Sequence, residues 1–219
     1  MDKRALFSVF FLLAVVLTAF SGYSAWTWWE SRMMSLPYYG SGSVAQNVSD
    51  CEALGIEAVS QFSFSNQEGA IVDQDFVKNK IWVANYFFTH CPSICPRMST
   101  NMADLQKQFA KEEDIRFISF SCDPERDSVS LLKEYADRYH INSAQWQLAT
   151  GNKTELYRFA RKQLQIVATD GDGGEGDFIH SQNFVLIDKN GFVRGYYDGT
   201  DEAHIAQLIK DIEKLKQTF

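Results

Sequence analysis

Residues 81–96 read Ile81-Trp82-Val83-Ala84-Asn85-Tyr86-Phe87-Phe88-Thr89-His90-Cys91-Pro92-Ser93-Ile94-Cys95-Pro96. The first eight form an apolar run of strand length, rich in branched and aromatic residues, and predict a buried strand. Beyond the thiols, Met98, Met102, Leu105 and Phe109 recur at helical spacing and predict a helix over 96–111. Cys91 and Cys95 are therefore four positions apart at a strand-to-helix junction. Two thiols so placed either converge on one soft metal ion or close a small disulfide.

Outward from this junction, Phe62-Ser63-Phe64 and Ala70-Ile71-Val72 flank Asn66-Gln67-Glu68-Gly69 and predict a β-hairpin. Ile115 to Ser121 alternates and predicts a strand. A helix opens near Ser128, with Leu131, Leu132, Tyr135 and Tyr139 on one face, and Trp146-Gln147-Leu148 predicts a short strand. Leu156, Phe159, Ala160 and Leu164 mark another helix. Phe184 to Ile187 and Phe192 to Tyr196 flank Asn190-Gly191, the strongest short hairpin signal. Ile205, Leu208, Ile209, Ile212 and Leu215 make an amphipathic last helix. Strands alternating with helices, then a hairpin and a helix, describe an α/β domain: a thioredoxin-like mixed sheet flanked by helices, with an N-terminal hairpin and an insertion.

The ends bear on location. Ala5 to Trp29 is 25 residues without a formal charge, preceded by Lys3 and Arg4 and closed by Trp26, Trp28 and Trp29. About 20 apolar residues span a bilayer core, so residues 1–29 predict a cytoplasmic stub and transmembrane anchor, the membrane being engaged through 5–29. A cleaved signal peptide is the rival, with small residues near Ser21 to Ala25 as a poor cleavage site. The simplest address is a single pass in a bacterial inner membrane, N-terminus cytoplasmic and C-terminal domain periplasmic. Residues 30–55, with Gly40-Ser41-Gly42-Ser43, read as a tether, and 56–219 as one domain. A net charge of −7 with no basic cluster excludes nucleic acid as a partner. Asp170 to Asp177 is acidic and Gly-rich, but lacks the ligand pattern of a calcium loop.

The chemistry rests on few residues. Either Cys91 and Cys95 share a helical turn, or Pro96 opens the helix and leaves Cys91 in the loop. In both cases the sulfurs lie near a helix N-terminus, which favours thiolate. Thiolates select Cu(I), zinc or Fe–S clusters, and imidazole suits copper. His180 precedes strand 184–187, and in thioredoxin-like folds the loop before that strand faces the thiols. Two sulfurs and the His180 nitrogen make a three-coordinate site that fits Cu(I), and an added ligand would serve Cu(II). Structural zinc takes four ligands, and the sequence offers no convincing fourth. The prolines are 37, 92, 96 and 124, so no proline precedes strand 184–187, where a general disulfide reductase carries one.

Three strings in this order carry a family resemblance: Phe88-Thr89-His90-Cys91-Pro92-Ser93-Ile94-Cys95-Pro96, Asp123-Pro124-Glu125-Arg126-Asp127 and Asp177-Phe178-Ile179-His180. Over about residues 60–215 the chain resembles the Sco/SenC family of membrane-anchored, thioredoxin-fold copper proteins of cytochrome c oxidase assembly. The resemblance implies copper, Cu(I) or Cu(II), held by Cys91, Cys95 and His180. Its implied partners are the copper-accepting subunit of the oxidase and a thiol reductant or copper donor. Two function classes follow. One is a metallochaperone that delivers copper by ligand exchange. The other is a membrane-tethered thiol–disulfide oxidoreductase with Cys91 and Cys95 catalytic; a sensor is a third. Cys122 departs from the family, which usually has an apolar residue there, and lies near the site at the end of strand 115–121. Asp123 is an accessory candidate for shaping the copper loop, while Asp127 or Ser128 suits a helix cap. Cys51 and the other histidines carry no assignment.

Overall fold

The computed structural model describes residue 13, residues 15–26, 35–166 and 181–219. The chain divides into two compact units, Met1–Ser35 and Leu36–Phe219. In the first, residues 15–26 are helical, and the hydroxyls of Thr18, Ser21 and Ser24 donate to the carbonyls of Val15, Thr18 and Ser21. The expectation of a membrane anchor over 5–29 is corrected. Among the described residues no helix is long and apolar enough to cross a membrane. The described helical stretch 15–26 carries the polar or small residues Thr18, Ser21, Gly22 and Ser24. The inner-membrane address fell with that helix. The remainder of 5–29 lies outside the described residues.

The larger unit is built on a seven-stranded sheet. Its strands are β3 (Ser63–Asn66), β4 (Ile71–Asp73), β5 (Ile81–Phe87), β6 (Ile115–Ser121), β7 (Trp146–Thr150), β8 (Asn183–Ile187) and β9 (Val193–Asp198), in the order β4-β3-β7-β6-β5-β8-β9. β5, β6 and β7 are parallel, from Ile81↔Ile115 to Phe87↔Ser121 in the first pair; β8 joins β5 antiparallel, with Trp82↔Ile187 and Ala84↔Val185. Every residue of β5 is buried, as a central strand covered on both faces requires.

Two cores cover the two faces. Helices α3 (Ile94–Gln108), α4 (Val129–Arg138) and α6 (Glu202–Thr218) bring Met98, Met102, Leu132, Tyr135, Leu208 and Ile212 onto Ile81, Val83 and Phe87. On the other face α5 (Lys153–Arg158) and a π-helical turn, Phe159–Gln163, pack Leu156, Tyr157 and Phe159 against Trp82, Tyr86 and Phe120. The two parallel connections, β5–α3–β6 and β6–α4–β7, step in the same direction along the sheet, and a right-handed crossover in each puts α3 and α4 on one face. β5 and β6 run parallel, so the loops that follow Phe87 and Ser121 emerge at the same end of the sheet.

The elements expected from periodicity are present, with shifted ends. α3 starts at Ile94 rather than Pro96, and the helix expected around Leu156–Leu164 changes pitch at Phe159. The segment read as a tether holds β1 (Tyr38–Gly40), β2 (Ser43–Ala45) and α1 (Ser49–Ala53). The buried Arg194 side chain anchors its start. Arg194 pairs with Asp188 at 2.6 Å, donates to the carbonyls of Pro37 and Leu36, and lies 3.7 Å from the Tyr38 ring centroid. Asp188 in turn accepts from the N–H groups of Asn190 and Phe192, fixing the β8–β9 turn. Cys51 is buried in a small cluster with Ala45 and Ile56, against Tyr38 and Phe192. A short helix, α2 (Gln74–Val77), capped by Asp73, is the other addition.

Candidate metal centre

β5 ends at Phe87, and its carbonyl accepts from both the N–H (2.9 Å) and the thiol (3.3 Å) of Cys122, the residue after β6. The chain then turns, with the Cys91 N–H bonded to the Phe88 carbonyl. α3 begins at Ile94 after Ser93, whose hydroxyl makes no capping bond. Cys91 therefore stands in the loop and Cys95 in the first helical turn. Pro96 follows where an N–H would have no intrahelical partner anyway.

A sulfur takes the place of the missing cap. The Cys95 N–H donates to Cys91 Sγ at 3.4 Å, and the Ser93 hydroxyl lies 4.0 Å from the same sulfur. All four cysteines are free thiols. Burial raises the Cys91 pKa, but hydrogen bonds from the Cys95 thiol and from Ser93 and Cys95 outweigh it, so the thiol ionises below its ordinary value. Cys95 is pushed up to about 12, chiefly by burial and then by its bond to Cys91. The pair is thus asymmetric, with Cys91 the readier thiolate and Cys95 the buried acid.

Cys122 is close but differently placed. Its side chain belongs to the core on the opposite face of the sheet from Cys91 and Cys95. Burial first, and then the charges of Cys95, Asp127 and Asp123, raise its pKa. Its carbonyl accepts from the buried Tyr157 hydroxyl at 2.5 Å. Asp123 is half-buried and pairs with the exposed Arg126 at 3.8 Å.

His180 lies outside the described residues. The described chain that follows it is held in place: the Asn183 N–H donates to Ser181 Oγ, and the Gly199 N–H to the Gln182 carbonyl at 2.7 Å. The antiparallel β5–β8 register sets the beginning of β8 at the end of the sheet where β5 delivers the thiols. Among the described residues no group of three or more His, Cys, Asp or Glu could hold a metal. Among the described residues, the sulfurs of Cys91 and Cys95 could supply two soft donors, a set that suits copper with one further ligand and falls short of structural zinc.

Sequence reasoning underrated Asp127. Ser128, not Asp127, caps α4. The Asp127 carboxylate is fully buried and accepts from the Thr89 N–H (3.2 Å), the Thr89 hydroxyl (2.5 Å) and the Ser121 hydroxyl (2.6 Å). The signal was its place in Asp123-Pro124-Glu125-Arg126-Asp127, whose two ends are joined by the Asp127 N–H to Asp123 carbonyl bond. A separate cleft between Ser60–Phe64 and the side chains of Glu155, Arg158, Phe159, Lys162 and Gln163 contains none of the cysteines.

The SCO1/SenC family model matches residues 52–217. The SCO1 protein homolog of Bacillus subtilis is 36% identical over 157 residues, spanning 71% of this chain and 81% of that protein. The solved structure of BsSco, described as a member of the Sco family of cytochrome c oxidase assembly proteins with a disulfide switch, is 34% identical with a TM-score of 0.62, covering 73% of this chain and 94% of that one. Bradyrhizobium japonicum ScoI, solved with copper bound, shares the fold at 21% identity and a TM-score of 0.56, over 70% of this chain and 99% of that one.

Proposed function

The chain belongs to the SCO1/SenC family, and from that premise we propose that it binds one copper ion through Cys91, Cys95 and His180 and passes it to the copper-accepting subunit of a cytochrome c oxidase. The observation that carries the reading is the Cys91 sulfur accepting the Cys95 N–H at 3.4 Å, which brings two soft donors to one helix start. Copper binding requires both thiols to ionise. Cys91 is predisposed to do so; Cys95 gives up its proton only to a cation that compensates the buried charge. Cys91, in the loop and the more exposed of the two, is the donor that a partner's thiolate displaces first. The test is anaerobic copper titration of the reduced protein, with X-ray absorption to count neighbours. Two sulfurs and one nitrogen around a single copper is the expected result; four sulfur neighbours or no tight binding overturns it.

The thiol asymmetry also favours a second reading, and the disulfide switch of BsSco is in keeping with it. As a reductase, the Cys91 thiolate would attack a substrate disulfide and form a mixed disulfide. Cys95 would then displace the substrate thiol, leaving a Cys91–Cys95 disulfide for a thiol reductant to restore. An insulin-reduction assay separates the readings. The metallochaperone reading expects poor turnover by the copper-free protein and none by the copper-loaded one; turnover equal to a competent thioredoxin promotes the reductase.

A further inference from the structure

We infer that Asp127 is a positioning residue for the thiol loop: its buried carboxylate clamps Thr89 to the end of β6 and so fixes where Cys91 presents its sulfur. The β5–β6 ladder ends at Phe87↔Ser121, and the last backbone bond across it runs from the Cys122 N–H to Phe87. Past that point the two chains separate, and Asp127 replaces the ladder. One oxygen holds the N–H and hydroxyl of Thr89, two residues before Cys91; the other holds the hydroxyl of Ser121, the last residue of β6.

The segment between Ser121 and Asp127 is shaped to return the carboxylate there. The Asp123 N–H bonds Ser121 Oγ, and the Asp123 carbonyl accepts from the N–H groups of Arg126 and Asp127 at 3.0 and 2.8 Å. The bland role, helix capping, belongs to Ser128. Among the described residues no Lys or Arg pairs with this carboxylate. Arg126 pairs with Asp123, and the ring beside Asp127 is the half-exposed imidazole of His90, its Nδ1 at 3.9 Å from the carboxylate and 2.9 Å from the Thr89 hydroxyl. A buried carboxylate is costly to leave unsatisfied, and its three donors among the described residues lie on the two chain ends that border the thiols. Cutting the clamp removes both bonds that tie Thr89 to Asp127 and leaves the thiol loop with local bonds such as that from the Cys91 N–H to the Phe88 carbonyl.

The test uses the reduced, copper-free full chain. Iodoacetamide labelling with mass mapping gives the ratio of Cys91 to Cys95 modification, competition with a chromogenic Cu(I) chelator gives copper affinity, and thermal melting monitors the fold. Asp127→Ala removes the clamp; Asp127→Asn can still accept from Thr89 while donating to Ser121. The expected result is that Asp127→Ala loses the Cys91 preference and about tenfold or more in copper affinity, as loss of an orienting partner does, while Asp127→Asn restores most of both. Thr89→Val alone lowers the preference, and added to Asp127→Ala it does little more, because both cut one connection. Should Asp127→Ala not fold, Thr89→Val and Asp127→Asn decide: an unchanged labelling ratio in Thr89→Val overturns the clamp. So does a folded Asp127→Ala that labels and binds as the parent does, or strictly additive effects. The inference builds on the copper reading only in its affinity arm. If the parent binds no copper yet its labelling ratio depends on Asp127, the clamp stands and the copper reading falls.

Discussion

The backbone N–H of Cys95 points at the sulfur of Cys91 across 3.4 Å. One thiol therefore caps the helix that carries the other, and the two cannot titrate or react alike.

In the metal-free protein Cys91 reacts first. Its thiolate forms below the ordinary thiol value of 9.0, whereas that of Cys95 waits until about 12. Alkylation of Cys91 should rise with pH through a midpoint below pH 9, with Cys95 inert across that range. Stopped alkylation followed by peptide mapping measures both; early labelling of Cys95 contradicts the asymmetry.

Loss of either thiol should abolish tight copper binding, because each supplies a charged soft donor. His180→Ala should weaken binding by at least about tenfold, the lower bound for orienting groups around a metal, with the melting temperature unchanged. Chelator competition reads the affinity. Parent-like affinity in His180→Ala removes that residue from the ligand set.

Cys122→Val should keep copper binding. The side chain lies in the opposite core, and a swap of similar volume costs less than about 1.5 kcal/mol, including the lost bond to the Phe87 carbonyl. Titration of the reduced variant checks it, and failure to bind would point to a three-thiolate site.

Arg194→Ala should destabilise the larger unit by about 3–5 kcal/mol, since it leaves the Asp188 carboxylate buried without its partner. Denaturant unfolding measures this. Limited proteolysis should cut the variant near residues 36–45 faster than the parent, because the carbonyls of Leu36 and Pro37 lose their donor.

How much was legible depended on how local each signal is. The strand Ile81–Phe87, the thiol spacing and the Asn190-Gly191 turn show in the sequence because period and turn chemistry act over a few residues. The order of elements then identified the layered α/β fold, and the motifs identified the family. The strands at Tyr38–Gly40 and Ser43–Ala45 have three residues each, too few for a period, and their anchor is Arg194, far along the chain. Asp127 was read as a possible cap because a cap and a clamp look the same one residue before Ser128. The distinction lies in Thr89, 38 positions away. The apolar N-terminal stretch misled because lack of charge was weighted above the Thr18, Ser21, Gly22 and Ser24 it contains.

The pairing of β5 with β8 joins Trp82 to Ile187, about a hundred positions away. Closing so long a loop is slow, because its entropy is lost before the contacts form. During that search the chain carries four thiols that the finished structure buries, and Cys91 and Cys95 are near neighbours in sequence while Cys51 and Cys122 remain within reach. Assembly is then a race between sheet closure and oxidation. Refolding from denaturant should give a higher yield of native protein with a thiol reductant present than in air, and equal yields would show that closure wins.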